Sequence, residues 1–150
     1  MLEGWLDYHR QTLAWKCVGL SDAQLRERSV PPSSMSLIGL VRHMAEVERN
    51  WFRRTLSEED APPIYYGPDN EDGDFDDVDG ASVEEAFAEW RSPCANARAV
   101  AARMQLDDTG AGRGQTVSLR WVLVHMIEEY ARHNGHADFL RERIDGATGD

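Results

Sequence analysis

Four stretches of this chain repeat apolar residues at spacings of three and four, and no stretch alternates as a strand should. The first runs from about Leu2 to Leu20, with Leu2, Leu6, Leu13 and Leu20 on one stripe. A short turn of helix is expected around Ala23 to Arg28, before Pro31-Pro32 breaks the chain. The second stretch covers about Leu37 to Leu56, its face marked by Leu37, Leu40, Met44, Val47 and Trp51, with Ser33 or Ser34 as the cap. The third covers about Val83 to Met104. Ser82 and Glu85 have the spacing of a capping box there, and Pro93 predicts a kink or break near Arg91-Ser92. The fourth covers about Leu119 to Ile144, capped by Ser118 and stopped by Gly146. The pattern predicts an all-α fold, a four-helix bundle.

Two connections constrain it further. Ser57 to Ala81 is long, rich in Pro, Gly and Asp, and expected to be too acidic to pack. Its length allows a crossover of the whole bundle between the second and third helices, so those two need not be antiparallel neighbours. Within it, Asp69-Asn70-Glu71-Asp72-Gly73-Asp74 invites a calcium-loop reading. It misses the ligand spacing and the closing glutamate, and a solvated loop is the expectation. Leu106 to Val117, with three glycines, is expected to be a flexible turn.

At 150 residues the chain fits a single domain, 1–150, with a hydrophobic core of its own. Its formal charge of -11 argues against nucleic acid and against an anionic membrane surface, both of which require clustered positive charge. The start, Met1-Leu2-Glu3-Gly4-Trp5, lacks the basic stretch and apolar run of a signal peptide, and no apolar run approaches the roughly 20 residues of a membrane span. Cys17 and Cys94 lie in separate helical stretches and are read as two buried or idle thiols. A cytoplasmic location is expected.

The chemistry concentrates in the fourth stretch, where His125, Glu129, His133 and His136 follow one another at spacings of four, four and three. At about 100° per residue, Val122, Met126 and Leu140 define the inward stripe, and Glu129 and His133 lie within roughly 20° of its centre. An unpaired carboxylate buried there costs several kcal/mol unless it is paired, protonated or bound to a metal. A hydrogen-bonded Glu–His pair in the core is one answer. His43, inward between Leu40 and Val47 on the second helix, favours another: two imidazoles and one carboxylate around a divalent ion, with positions open for water or substrate. Zinc is the first expectation, and nickel or another first-row ion also suits the donor set. His136 and His125 are candidates for the second shell. His9, on the stripe of the first helix, is either a further such residue or a rim histidine. The five tryptophans are read as packing, with one or two walling a ligand pocket, and Arg42, Arg49, Arg53 and Arg54 as a solvated helix face.

The run from Leu40 through His43 to Phe52, taken with Met126 to Asp138 and the Asp-rich loop Asp74 to Gly80, resembles the DinB-like superfamily, in particular the branch that includes the mini-circle proteins. The resemblance implies an up-down-down-up bundle. It also implies a metal held by one histidine of the second helix and a pair one turn apart on the fourth. Most members have three histidines. Glu129 instead matches the two-histidine, one-glutamate set of mycothiol-dependent maleylpyruvate isomerase, but a C-terminal domain like that enzyme's is not expected here, and neither is isomerisation. Several relatives are thiol S-transferases, so the resemblance implies a small-molecule thiol such as mycothiol, an electrophile as the second substrate, and a homodimer as one assembly. A metal-containing protein without turnover and a metal-assisted hydrolase are the alternatives.

Overall fold

The computed structural model describes residues 1–112 and 114–149, with Gln115 described by its backbone alone. Three long helices and one composite carry the chain: α1 (Leu2–Lys16), α3 (Leu37–Glu48) continued by a π-helix (Arg49–Leu56), α5 (Val83–Arg103) and α6 (Leu119–Asp145). Two short helices, α2 (Asp22–Arg26) and α4 (Gly73–Asp76), lie in the connections.

Local chemistry explains most of the boundaries. Ser82 and Ser118 cap as expected, their hydroxyls accepting from the Glu85 and Trp121 amides, and Gly146 ends α6 at φ 76°. A left-handed stop of this kind suits a residue without Cβ. The cap of α3 is Ser36 rather than Ser33 or Ser34, its hydroxyl accepting from the Gly39 amide at 3.1 Å. α5 runs unbroken from Val83 to Arg103 with Pro93 inside it, so no break occurs at Arg91-Ser92. α1 ends at Lys16, earlier than its leucine stripe suggested, and Ser21 with Gln24 forms a full capping box for α2.

The stretch from Leu106 to Val117 is not simply a turn. β1 (Thr109–Gly112) and β2 (Gln115–Ser118) pair antiparallel, Gly110 opposite Val117; Arg113 lies outside the described residues. Gly110 permits the pairing to sit on the π-helix: a Cβ there would lie 2.3 Å from the Thr55 carbonyl oxygen. The fold is therefore mostly helical with one small sheet.

Leu13, Leu37, Ile38, Leu40, Met44, Val122 and Met126 fill a common core. α1 runs in the same direction as α6, since Asn134 donates to the His9 carbonyl at 3.1 Å and Arg141 to the Lys16 carbonyl at 3.0 Å. α3 and α5 are likewise co-directional, Glu48 meeting Cys94 at 3.6 Å and Ser57, just past the π-helix, meeting Arg103 at 3.3 Å. α3 runs against α6: His43 meets His133, Glu48 meets Tyr130, and Trp51 meets Trp121. At the centre, Arg10 of α1 grips Glu48 of α3 with two hydrogen bonds of 2.7 Å. Tyr130 of α6 donates to the same carboxylate at 2.8 Å, and Trp90 of α5 donates to Tyr130 at 2.9 Å. No helix among the described residues is long and apolar enough to cross a membrane.

Candidate metal centre

α3 and α6 meet at the floor of a cleft of about 830 Å³ whose far wall is the connection from Ser57 to Ala81. His43 and Glu129 line the cleft, and each offers one donor atom that lies, with one from His133 behind them, within 4.8 Å of the other two. His133 is 8% exposed, and Glu129 and His43 are half-buried. One turn of α6 brings Glu129 Oε2 to 3.5 Å from His133 Nε2. Bonds of 2.0–2.1 Å to a tetrahedral ion separate neighbouring donors by roughly 3.4 Å, so this spacing suits shared coordination. Burial, then the neighbouring His43 and His136, hold the His133 pKa down at about 3. Its imidazole is thus neutral at physiological pH with a lone pair to offer. The donor chemistry fits a divalent first-row ion.

Glu129 faces the cleft rather than the centre of the core. The residue of α6 that fills the centre is its neighbour Tyr130, fully buried on Glu48. His125 lies one turn before Glu129, its Nε2 3.6 Å from Oε1, so the two oxygens of Glu129 each face a different histidine. His125, Glu128 and Glu129 form a second group with donor atoms within 4.8 Å. The His125 ring stacks on Trp121 at 4.9 Å and meets Trp51 edge-on at 4.7 Å. His136 Nδ1 lies 3.4 Å from His133 Nδ1. His9 is not among the gathered donors: it sits against Trp5, Tyr8 and Asn134. Of the tryptophans, Trp90 is buried in the core and Trp51 walls the cleft, whereas Trp5, Trp15 and Trp121 are exposed.

The largest departure from the sequence reading is the acidic connection, which packs. Asp74 is 6% exposed, and its Oδ2 lies 2.7 Å from His43 Nδ1. Phe75 stacks on the His43 ring at 5.1 Å, and Val78 is fully buried. The arginines expected on a solvated face hold this segment down. Arg42, itself 7% exposed, donates to the carbonyls of Gly73 and Asp77 at 2.8 and 3.0 Å, and Arg49 to that of Pro62 at 2.7 Å. Arg54 reaches the Tyr66 hydroxyl at 2.7 Å. Glu46 accepts from the Ile64 and Tyr65 amides, both at 2.6 Å. Asp74 was missed because its neighbours Asp72, Asp76, Asp77 and Asp79 look alike in sequence; only Phe75 and Val78, apolar in an acidic run, signal contact with the core.

No curated protein matches the chain. A conserved protein of Enterococcus faecalis has the same fold, with a TM-score of 0.69 at 15% identity over 97% of this chain and 96% of that one. The mycothiol-S-transferase family model matches residues 1–146, nearly the whole length. The chain belongs to the mycothiol-S-transferase family, within the DinB-like proteins.

Proposed function

We propose that the chain is a metal-dependent thiol S-transferase, with His43, Glu129 and His133 as the ligands of one divalent ion, zinc in the first place. The observation that carries the reading is the convergence of two imidazoles and one carboxylate, from two helices, at the edge of an open cleft that His43 and Glu129 line, in a chain of this family. A bound divalent ion supplies positive charge that keeps a thiol deprotonated, and so nucleophilic, at neutral pH. The protein's own residues provide the rest. His133 offers a neutral nitrogen, Glu129 offsets part of the ion's charge, and three protein ligands leave coordination positions open toward the cleft. Trp51, Tyr66 and Phe75 present flat apolar surface to whatever enters. Mycothiol is the thiol that the family's name suggests, and a small electrophile is the second substrate.

The scaffold we infer is an up-down-down-up four-helix bundle of α1, α3 with its π-helix, α5 and α6. The co-directional pairs α1–α6 and α3–α5, with α3 opposed to α6, support it, as does a connection long enough to return the chain to the same end.

Elemental analysis of the purified protein, and of His133→Ala, tests the site: about one equivalent of metal is expected in the first and little in the second. Thiol consumption against a panel of electrophiles then tests turnover. Stoichiometric metal without metal-dependent consumption of any thiol would leave a metal-containing binding protein as the better reading.

A further inference from the structure

Among the described residues, one element beside the donor cluster is not a long helix, and it contributes a carboxylate. Asp74 lies in α4, a single turn in the second half of the 25-residue connection from Ser57 to Ala81. It is buried, its Oδ1 accepts from the Phe75 amide at 3.0 Å, and its Oδ2 is 2.7 Å from His43 Nδ1. An ionised carboxylate can only accept, so the hydrogen on that bond belongs to Nδ1. Nε2 is then the His43 nitrogen left for a metal. Phe75, stacked on the same ring, removes its remaining freedom to turn. A carboxylate on the far nitrogen of a metal-bound imidazole fixes the tautomer and strengthens the ligand, and losing it typically costs 10- to 100-fold in metal affinity.

We propose that Asp74 is a positioning residue for the metal centre, and that metal occupancy and the closure of the segment from Ile64 to Asp79 over the cleft are thermodynamically linked. The inference rests on His43, Glu129 and His133 being the ligands. Its physical basis is reciprocity. If the closed segment makes His43 a better ligand, the bound ion must favour the closed segment by the same factor. The segment is built for such an equilibrium. Beside the packed side chains of Ile64, Tyr65, Phe75 and Val78, it is tied to the helices by Arg42 on the carbonyls of Gly73 and Asp77, Glu46 on the amides of Ile64 and Tyr65, and Arg54 on the Tyr66 hydroxyl. A short, largely non-helical segment anchored by a few apolar side chains and polar bonds opens more readily than the long core helices.

The test compares the wild type with Asp74→Asn, which keeps the shape and an acceptor oxygen but removes the charge. Three readouts are needed: zinc affinity by competition with a chromogenic chelator, thermal melting of the metal-free proteins, and amide hydrogen exchange of residues 64–79 with and without zinc. The expected result is an affinity lower by about 10- to 100-fold with little change in the metal-free melting temperature. Zinc should slow exchange in the segment of the wild type and slow it less in Asp74→Asn. In a His43→Ala background, Asp74→Asn should have no further effect on residual zinc binding, which a merely structural role would not produce. Equal zinc affinity in the wild type and Asp74→Asn overturns the inference, as does segment exchange that ignores zinc. Should Asp74→Asn not fold, Arg42→Ala, which frees Gly73 and Asp77 without touching His43, replaces it with the same criteria. A wild type that takes up no zinc overturns the ligand assignment instead, so the two failures are distinguishable.

Discussion

The Tyr130 hydroxyl donates to Oε1 of Glu48 at 2.8 Å, and both side chains are fully buried. Because Glu129 is the next residue back on α6, about 100° around the helix, fixing Tyr130 in the core turns Glu129 toward the cleft. The bond belongs to a network in which Arg10 and Trp90 also take part, so all four long helices meet at this point. Tyr130→Phe deletes the hydroxyl and strands the Trp90 N–H and one lone pair of a buried carboxylate. A loss of about 1–3 kcal/mol is expected in chemical denaturation, with little cavity formed. A loss under about 0.5 kcal/mol would show that the network does not hold the helices in register.

The two oxygens of Glu129 face two histidines, His125 at 3.6 Å and His133 at 3.5 Å. Replacing it by a residue that cannot ligate should therefore remove metal, while a different donor should keep it. Glu129→Leu is expected to copurify with little metal. Glu129→His supplies the three-imidazole set and should retain close to one equivalent. Elemental analysis of both variants decides the matter: equal loss in the two would mean that the carboxylate serves His125 and His133 only as a hydrogen-bonding partner.

How far the sequence carried differed between the helices and the loop for a physical reason. Ser82, Ser118 and Gly146 were readable because caps and stops act through their own backbone within three residues. That His43, Glu129 and His133 come together was readable because helical phase is a local property, and the structure gathers their donor atoms within 4.8 Å; the ligand role is the proposal made above. Ser36 was overlooked in favour of Ser33 and Ser34 because several serines precede α3, and only the path of the chain decides which one caps it. The packing of the Ser57–Ala81 connection depends on partners far along the chain: Arg42 to Gly73, Glu46 to Tyr65 and His43 to Asp74. No periodicity records such contacts. The pairing of Gly110 with Val117 was hidden similarly, because glycines that signal a turn also permit close approach to Thr55.

Burial lowers the His133 pKa from 6.5 to about 3, so the folded protein resists protonation there while the unfolded chain accepts it. Between these values the unfolded state binds the additional proton, and stability must fall as pH is lowered. The contribution is absent above about 6.5, grows as pH drops, and levels off below about 3. In the metal-free protein, the urea midpoint of the wild type should therefore decline more steeply between pH 6.5 and 4 than that of His133→Asn. Parallel curves for the two proteins would contradict a buried, neutral His133. With metal bound the wild-type decline should begin at lower pH, since the ion stabilises the folded form with His133 deprotonated.

Thiol chemistry at the cleft can be measured cleanly only if the protein's own thiols stay silent. Burial pushes the Cys17 pKa up to about 12. Cys94 is also raised, by burial first and then by the Glu48 carboxylate 3.6 Å from its sulfur. Thiolate is the reactive form, and neither site holds a useful fraction of it at neutral pH. The native protein should thus release almost no chromophore from an aromatic disulfide reagent over minutes, and two equivalents once denatured, matching its two cysteines. Rapid release of one equivalent from the native state would place a reactive thiol at the surface. Mass mapping would then identify Cys17 or Cys94, and that cysteine would have to be replaced before any thiol-consumption assay is interpreted as turnover.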